Sequence, residues 1–227
     1  MIMKKLFLFM IAGLTFGTPV IANDDNITRG YKTYDAMGCM LLRECVDDVR
    51  QIKTLKDFQN IYPDTNYSVV GEEIEDLLTA FNKIGVKVFI APEKYFPPNH
   101  RGVYHTVGNN FFLNEMYMAG PATLISVMRH EGWHAAQDCM AGTIDNSIIA
   151  VIKPMDEVPM IWRELAERTY AENVVPWEAE AWWAGKTSGM TVDALEACAT
   201  GAMWDQPGFE PTPLTRQYLI DEGFIGD

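Results

Sequence analysis

The chain has 227 residues, of which 48% are hydrophobic, and it carries 31 acidic against 18 basic side chains. The formal net charge of −13 makes the surface repel phosphate backbones, so the composition counts against nucleic-acid binding. The length is sufficient for a single domain with a sizeable hydrophobic core, and it does not require a second domain.

The first 22 residues have the layout of a secretory signal peptide. A positively charged start containing Lys4 and Lys5 precedes an apolar run over residues 6–17, and small residues around Ala22 offer a cleavage point. The run is shorter than the roughly 18 to 20 apolar residues that span a bilayer, so a permanent membrane anchor is the weaker alternative. We therefore expect residues 1–22 to be removed, leaving a secreted or periplasmic protein without a stable membrane anchor.

Four cysteines, Cys39, Cys45, Cys139 and Cys198, follow the predicted cleavage point. An even number of cysteines in a chain bound for an oxidising compartment favours two disulfides, with four free buried thiols as the alternative. Apolar spacing predicts a helix over residues 36–52, in which Cys39 and Cys45 would lie about 9 Å apart along the axis. Because bridged Cα atoms lie within roughly 7 Å of each other, we expect each of the two to bond to Cys139 or Cys198 instead.

The next segments predict a helix followed by three short strands. Residues 55–67 are predicted as a connection, and residues 72–84 as a helix whose apolar side chains recur at helical spacing. Residues 86–91 alternate as a strand. Residues 102–107 and 110–114 are predicted as the two strands of a hairpin that turns at Gly108-Asn109.

The rest of the chain is predicted to be mostly helical. A proline at a helix start and a glycine just past its end mark the boundaries. The predicted helices run from Pro121 to before Gly142, over residues 160–172, from Pro176 to Gly185 or Gly189, and over residues 192–202. This order of elements predicts an α+β fold.

The segment from His130 to His134 reads HEGWH and lies inside the predicted helix that begins at Pro121. Residues four apart on a helix share one face, so the imidazoles of His130 and His134 can bind one metal ion together. Zinc favours such ligands and in catalytic sites keeps one position for water, from which Glu131 can take a proton. The alternative is a chance match, but the predicted export signal and the use of two of only four histidines favour a zinc site.

HExxH supplies two ligands, and a third must come from elsewhere in the chain. No histidine follows His134, which leaves a carboxylate on a later helix. Glu178 and Glu180 stand among the alanines and tryptophans of residues 177–183, where a charge is costly unless it is paired or bound to metal. Either glutamate is a candidate for the third ligand, and a solvated helix face is the alternative interpretation.

These motifs resemble those of the gluzincin metallopeptidases, in which HExxH on one helix is completed by a glutamate from a downstream helix. The resemblance covers residues 130–134 and, more weakly, the ExEA segment over residues 178–181. It points to Glu178 as the third ligand, with Glu180 as the alternative. The sequence departs from many of these families at Trp182, where they carry an aspartate that orients a histidine. Asp138 is a candidate for that supporting role.

The resemblance also implies a fold, a cofactor and a substrate class. It implies a zincin-like domain over residues 23–227, with a small antiparallel or mixed sheet packed on the HExxH helix and later helices carrying the third ligand. The cofactor is one Zn²⁺ ion, and the substrate is a peptide or protein. In such enzymes the strand before the motif helix holds an extended substrate by backbone pairing, and residues 110–114 correspond to that strand.

The sequence therefore predicts a secreted zinc-dependent metallopeptidase with Glu131 as general base and later as proton donor to the leaving amine. The oxyanion of the reaction needs a hydrogen-bond donor, for which His105, Tyr104 and Tyr170 are candidates. A non-peptide amide or a cell-wall peptide is the alternative substrate. The alternative from another class is a secreted, disulfide-stabilised binding protein with a structural or vestigial metal site, which a fourth protein ligand would favour.

Overall fold

The computed structural model describes residues 33–45, 47–142, 148–205 and 215–226, and the predicted signal peptide over residues 1–22 lies outside these ranges. Within them the chain forms eight α-helices and four β-strands. The helices are α1 (Thr33–Leu41), α2 (Leu55–Ile61), α3 (Gly71–Lys83), α4 (Pro121–Met140), α5 (Met160–Thr169), α6 (Val175–Lys186), α7 (Met190–Thr200) and α8 (Arg216–Asp221). The strands are β1 (Arg50–Ile52), β2 (Lys87–Ala91), β3 (Gly102–His105) and β4 (Asn110–Asn114). The α+β fold predicted from the order of elements is confirmed.

The four strands form one mixed sheet in the order β1-β2-β4-β3. Strands β2 and β4 are parallel, and the two outer pairs are antiparallel. β3 and β4 form the predicted hairpin, in whose turn Asn109 adopts a positive φ of 49° that asparagine tolerates better than most residues. β4 is paired on both sides, so the expectation that residues 110–114 offer a free edge to a substrate is wrong. Among the described strands, β3 lies at the sheet edge beside β4, and we call its side away from β4 the free edge.

Helices cover both faces of the sheet. Alternate side chains of a strand point to opposite faces. Val88 and Phe111 therefore join a core with side chains of α3 and α4, whereas Phe89 and Phe112 pack on the other face with α1. The rings of Phe89 and Phe112 stack with centroids 5.3 Å apart. All five residues of β4 are buried as a result.

The helix α4 carries the HEGWH segment through the centre of the fold. Pro121 is its first residue, a position where the missing N–H leaves no hydrogen bond unmade. Gly142 lies just past its end with a positive φ of 137°, as the sequence predicts. Every residue over 132–140 is buried, because α6, α7 and α3 all pack against α4.

The region after α1 differs from the single helix predicted over residues 36–52. α1 ends at Leu41, and Arg43 then adopts a positive φ of 60°. Residues 50–52 form the edge strand β1, which pairs with β2. The chain therefore turns back on itself between α1 and β1, where continuous helix was expected.

This turn explains why the predicted disulfide pairing is wrong, although the prediction of two disulfides is confirmed. Cys45 lies beyond the end of α1, with its Cα 5.3 Å from that of Cys39, and the two residues are bonded. Cys139 is bonded to Cys198, which joins the end of α4 to α7. Two disulfides indicate a protein of an oxidising compartment.

Two short helices lie outside the predicted elements. The helix α2 begins with a capping box in the predicted connection, where the Asp57 carboxylate accepts a hydrogen bond from the Thr54 N–H at 2.9 Å. The helix α8 begins where the Thr215 hydroxyl accepts a hydrogen bond from the Tyr218 N–H.

Among the described residues, no helix has both the length and the apolar character needed to cross a bilayer.

Candidate metal centre

Helices α4 and α6 bring His130, His134 and Glu178 together, and we call these three side chains the HHE cluster. The two histidine rings are perpendicular, with centroids 5.0 Å apart. Glu178, in the first turn of α6, places one carboxylate oxygen 3.5 Å from Nε2 of His130 and the other 3.8 Å from Nε2 of His134. One ligand atom from each residue lies within 4.8 Å of the other two, so the cluster could hold a metal ion.

The surroundings of Glu178 fit a bound cation. The residue is 4% exposed, and its buried Oε2 makes no hydrogen bond to the described residues, although His130 Nε2 lies 3.5 Å away. A buried carboxylate oxygen that accepts no hydrogen bond is costly, and a cation shared with two imidazole nitrogens removes that cost. Imidazole nitrogen and carboxylate oxygen are both common ligands of transition metals.

Electrostatics within the cluster show the same affinity for positive charge. Burial alone would raise the pKa of Glu178, but His130 and His134 lower it below its ordinary value. Burial alone would lower the pKa of His130, but the carboxylates of Glu178 and Glu131 raise it above its ordinary value. The carboxylates thus favour a positive charge on His130, and a bound cation would satisfy the same preference at Glu178.

Two glycines allow the helices to approach closely enough to form the cluster. A Cβ on Gly185 of α6 would lie 3.3 Å from the His130 Cβ and 3.2 Å from the Ser126 carbonyl oxygen. On another side of α4, a Cβ on Gly132 would lie 2.7 Å from the Phe81 ring and 2.9 Å from the Thr191 methyl group. Larger residues at these positions would push α6, α7 or α3 away from α4.

Glu131 points from α4 toward the free edge of β3. Its Oε2 accepts a hydrogen bond from the Tyr104 backbone N–H at 3.0 Å. A Cβ on Gly102 would lie 3.0 Å from the Glu131 Cγ, so glycine is needed for this close approach of β3 to α4. Glu131 directly follows His130 in α4, and its charge contributes to raising the pKa of His130 and of Tyr170.

The register of the hairpin determines which backbone groups of β3 face the free edge. The Asn114 N–H donates to the Arg101 carbonyl at 2.9 Å, so Arg101 faces β4. Successive residues of a strand point their backbone groups to opposite sides, so Gly102 and Tyr104 face away from β4. The hydrogen bond from Tyr104 to Glu131 agrees with this orientation.

The three candidate oxyanion donors lie in different surroundings. Burial and then the Glu178 carboxylate raise the pKa of Tyr170, which places its hydroxyl near the HHE cluster. The Tyr104 hydroxyl donates to Asp138 at 2.7 Å and is committed to that contact. His105 ends β3 with its ring against Gly108 in the hairpin turn, and its role as a donor stays a prediction.

The contact that orients His134 comes from Gln137, a residue that the sequence analysis did not single out. Gln137 Oε1 lies 2.8 Å from Nδ1 of His134. Asp138, the predicted supporting residue, accepts a hydrogen bond from the Tyr104 hydroxyl, and its supporting role stays a prediction. The spacing could have indicated Gln137, because residues three apart on a helix are neighbours.

Glu180, the alternative third ligand, is occupied by four hydrogen-bond donors. Its carboxylate accepts from the Trp133 indole, the Gln137 amide and the backbone N–H groups of Ile152 and Lys153. Burial raises the pKa of Glu180 to about 7, and these donors oppose the rise. Glu180 of α6 thus connects Ile152 and Lys153 to α4 through hydrogen bonds. Glu178, in contrast, is the glutamate that lies beside the two histidines.

No protein-family model, no curated protein and no solved structure matches this chain. What its site can do is therefore inferred from the side chains themselves. Two imidazoles and one carboxylate converge on a point beside a second carboxylate, at the free edge of a sheet.

Proposed function

We propose that the protein is a secreted zinc-dependent metallopeptidase similar to the gluzincins, with a zincin-like fold. The observation that carries this proposal is the convergence of the HHE cluster with Glu131 beside it. Zinc suits two imidazoles and a carboxylate, and three protein ligands leave a coordination position for water or substrate, as in catalytic zinc sites. A structural site would have four protein ligands and no need of the carboxylate of Glu131.

Glu131 acts as the general base in this proposal. A bound zinc ion supplies Lewis acidity, which acidifies water and polarises a carbonyl group. Because Glu131 Oε2 is held by the Tyr104 N–H, Oε1 is the oxygen that takes the proton from the attacking water. Glu131 then returns this proton to the leaving amine.

Tyr170 is the proposed donor to the oxyanion. Its hydroxyl lies near Glu178, and its raised pKa keeps it protonated at neutral pH and able to donate a hydrogen bond. His105 is the second candidate for this role. Tyr170 is favoured over His105 as the donor because the ring of His105 packs in the hairpin turn.

The substrate in this proposal is an extended peptide that pairs with the free edge of β3. The backbone of Gly102 and the carbonyl of Tyr104 face that edge, while the Tyr104 N–H is bonded to Glu131, which lies directly beside it. Backbone pairing would align a peptide next to the general base without requiring a particular side chain, a form of β-augmentation. The strand proposed to pair with the substrate is therefore β3, and not residues 110–114 as the sequence predicts.

The test is peptide hydrolysis by the protein purified from an oxidising compartment and loaded with zinc. Glu131→Gln removes the base but no metal ligand, so we expect zinc to be retained and hydrolysis to fall by about 100- to 10,000-fold. Glu72→Gln, an exposed glutamate of α3, is the matched control and should keep full activity. Zinc-loaded wild-type protein that cleaves no member of a mixed peptide library would instead favour a binding protein with a structural metal.

A further inference from the structure

The amide of Gln137 contacts three groups, and two of them fix its orientation. Its nitrogen lies 2.7 Å from Oε2 of Glu180 and 3.1 Å from the Trp177 carbonyl oxygen. Both groups accept hydrogen bonds, so the amide must turn its NH₂ group toward them. Turning the amide over would place its oxygen against a carboxylate and a carbonyl, leaving two buried repulsions and two lost hydrogen bonds.

This orientation leaves only the amide oxygen to face His134. Gln137 Oε1 lies 2.8 Å from Nδ1 of that ring, and an oxygen can only accept a hydrogen bond. The proton of a neutral His134 must therefore reside on Nδ1. Nε2 then carries the lone pair, and Oε1 of Glu178 lies 3.8 Å from it.

We propose that Gln137 is a positioning residue that sets the Nδ1-protonated tautomer and the ring orientation of His134 before any metal binds. Glu180 acts through Gln137, because its carboxylate holds the amide in the required direction. This role of Gln137 in metal binding rests on the proposed function, because it matters only if the HHE cluster binds a metal ion. The tautomer itself is a property of the metal-free protein.

Glu180 also explains why position 137 holds an amide. A carboxylate there could accept the His134 Nδ1–H, but it would lie against the buried carboxylate of Glu180 and could donate to neither Glu180 nor Trp177. Two adjacent buried carboxylates repel each other. Only an amide both accepts from the histidine and donates to the glutamate.

The experiment reads the tautomer directly by long-range proton–nitrogen NMR of the ¹⁵N-histidine-labelled, metal-free protein. The chain has four histidines, so the spectrum is simple enough to assign with single His→Ala variants. The measurement is made at pH 8, above the ordinary range of imidazole pKa values. Wild-type His134 is expected to carry its proton on Nδ1, and Gln137→Met is expected to give a mixture of both tautomers.

A zinc titration provides the second measurement. Gln137→Met should weaken zinc binding by about 10- to 100-fold, in line with other residues that orient metal ligands. Gln217→Met, which changes an exposed glutamine of α8, is the matched control and should alter neither the tautomer nor zinc affinity.

Three outcomes would overturn the proposal. One is wild-type His134 protonated on Nε2, which decides the matter even if Gln137→Met fails to fold. The second is a folded Gln137→Met protein that keeps the pure Nδ1 tautomer, and the third is one that binds zinc as tightly as wild type. Because the NMR measurement contains no metal, it can succeed or fail independently of the proposed peptidase activity.

Discussion

At the scale of single residues, the metal-free cluster is an ion pair whose partners shift each other's titration. The pKa of Glu178 is lowered, so its contribution to stability is present above the ordinary glutamate value of 4.5 and is lost as pH falls through the shifted value. The pKa of His130 is raised, so its contribution is present below the ordinary value of 6.5 and is lost as pH rises through the shifted value. Both contributions are therefore fully present between pH 4.5 and pH 6.5, the ordinary pKa values of the two groups, and the pair stabilises the metal-free fold most in this range.

The first prediction concerns Glu178→Gln in the metal-free protein. At pH 5.5 the variant should unfold more readily than wild type by about 1 to 3 kcal/mol, because the buried imidazolium of His130 loses its charged partner. As pH rises through the raised pKa of His130, the positive charge that Glu178 pairs with is lost, so the difference should be smaller at pH 9 than at pH 5.5. Denaturant unfolding at the two pH values measures this, and a larger difference at pH 9 would contradict the assigned pair.

The second prediction separates the two glutamates of α6. Glu178→Gln removes a ligand and should weaken zinc binding more than any change in supporting residues, which cost about 10- to 100-fold. Glu180→Gln should leave the ligands in place but destabilise the protein by about 2 kcal/mol, because a buried acceptor of four hydrogen bonds is replaced by an amide. Isothermal titration and unfolding measurements check both, and a reversed order of zinc affinities would identify Glu180 as the ligand.

At the scale of the elements, sequence reasoning succeeds where spacing along one helix decides the geometry. His130 and His134 share a face of α4 because they are four residues apart, and the start and end of α4 follow from Pro121 and Gly142. Sequence reasoning fails where the geometry depends on how separate elements pack against each other. The end of α1 at Leu41 depends on how the following turn packs, and apolar spacing alone does not contain that information.

The choice between Glu178 and Glu180 could not be made from spacing for a similar reason. Both residues are buried in α6, which has almost no polar side facing solvent near its start. Only the packing of α6 on α4, and of the segment containing Ile152 against both, shows which carboxylate meets the histidines. Gln137 was missed because a glutamine on a buried helix face has many structural explanations.

The third prediction tests the close approach of the helices. Gly132→Ala places a methyl group against the Phe81 ring and Thr191, so we expect a destabilisation of about 1 to 3 kcal/mol from overpacking. Gly38→Ala in α1 is the matched control, because a Cβ there meets nothing within 4 Å. This control should be neutral or stabilising by up to about 1 kcal/mol through helix propensity. Equal effects of the two substitutions on thermal unfolding would argue against the packing described for α4.

At the scale of the whole molecule, the two disulfides close loops of very different length. The Cys39–Cys45 bond closes a local turn with a sequence separation of 6 residues, whereas Cys139–Cys198 has a separation of 59 and joins α4 to α7. The second bond begins at Cys139, five residues or about one and a half helical turns beyond His134, and its loop contains α5 and α6. It therefore links the helix that carries both histidines covalently to α7.

The fourth prediction follows from these loop lengths. Replacing Cys139 and Cys198 together by serine should lower the free energy of unfolding by about 4 kcal/mol, and replacing Cys39 and Cys45 together should lower it by about 2 kcal/mol. The difference arises because a longer closed loop restricts the unfolded chain more. Chemical denaturation of the two double variants measures it, and a greater loss from the Cys39–Cys45 pair would contradict the expected ranking.

We propose that His130, His134 and Glu178 bind one zinc ion, and the proposed function depends on this binding. Its most direct test is the metal content of the purified protein, measured by mass spectrometry after incubation with zinc and removal of the excess. We predict about one zinc ion per chain for wild type and for His100→Ala, and almost none for His134→Ala, because a three-ligand site does not survive the loss of an imidazole. Wild-type protein that retains no zinc, or a His134→Ala variant that retains as much as wild type, would contradict the claim.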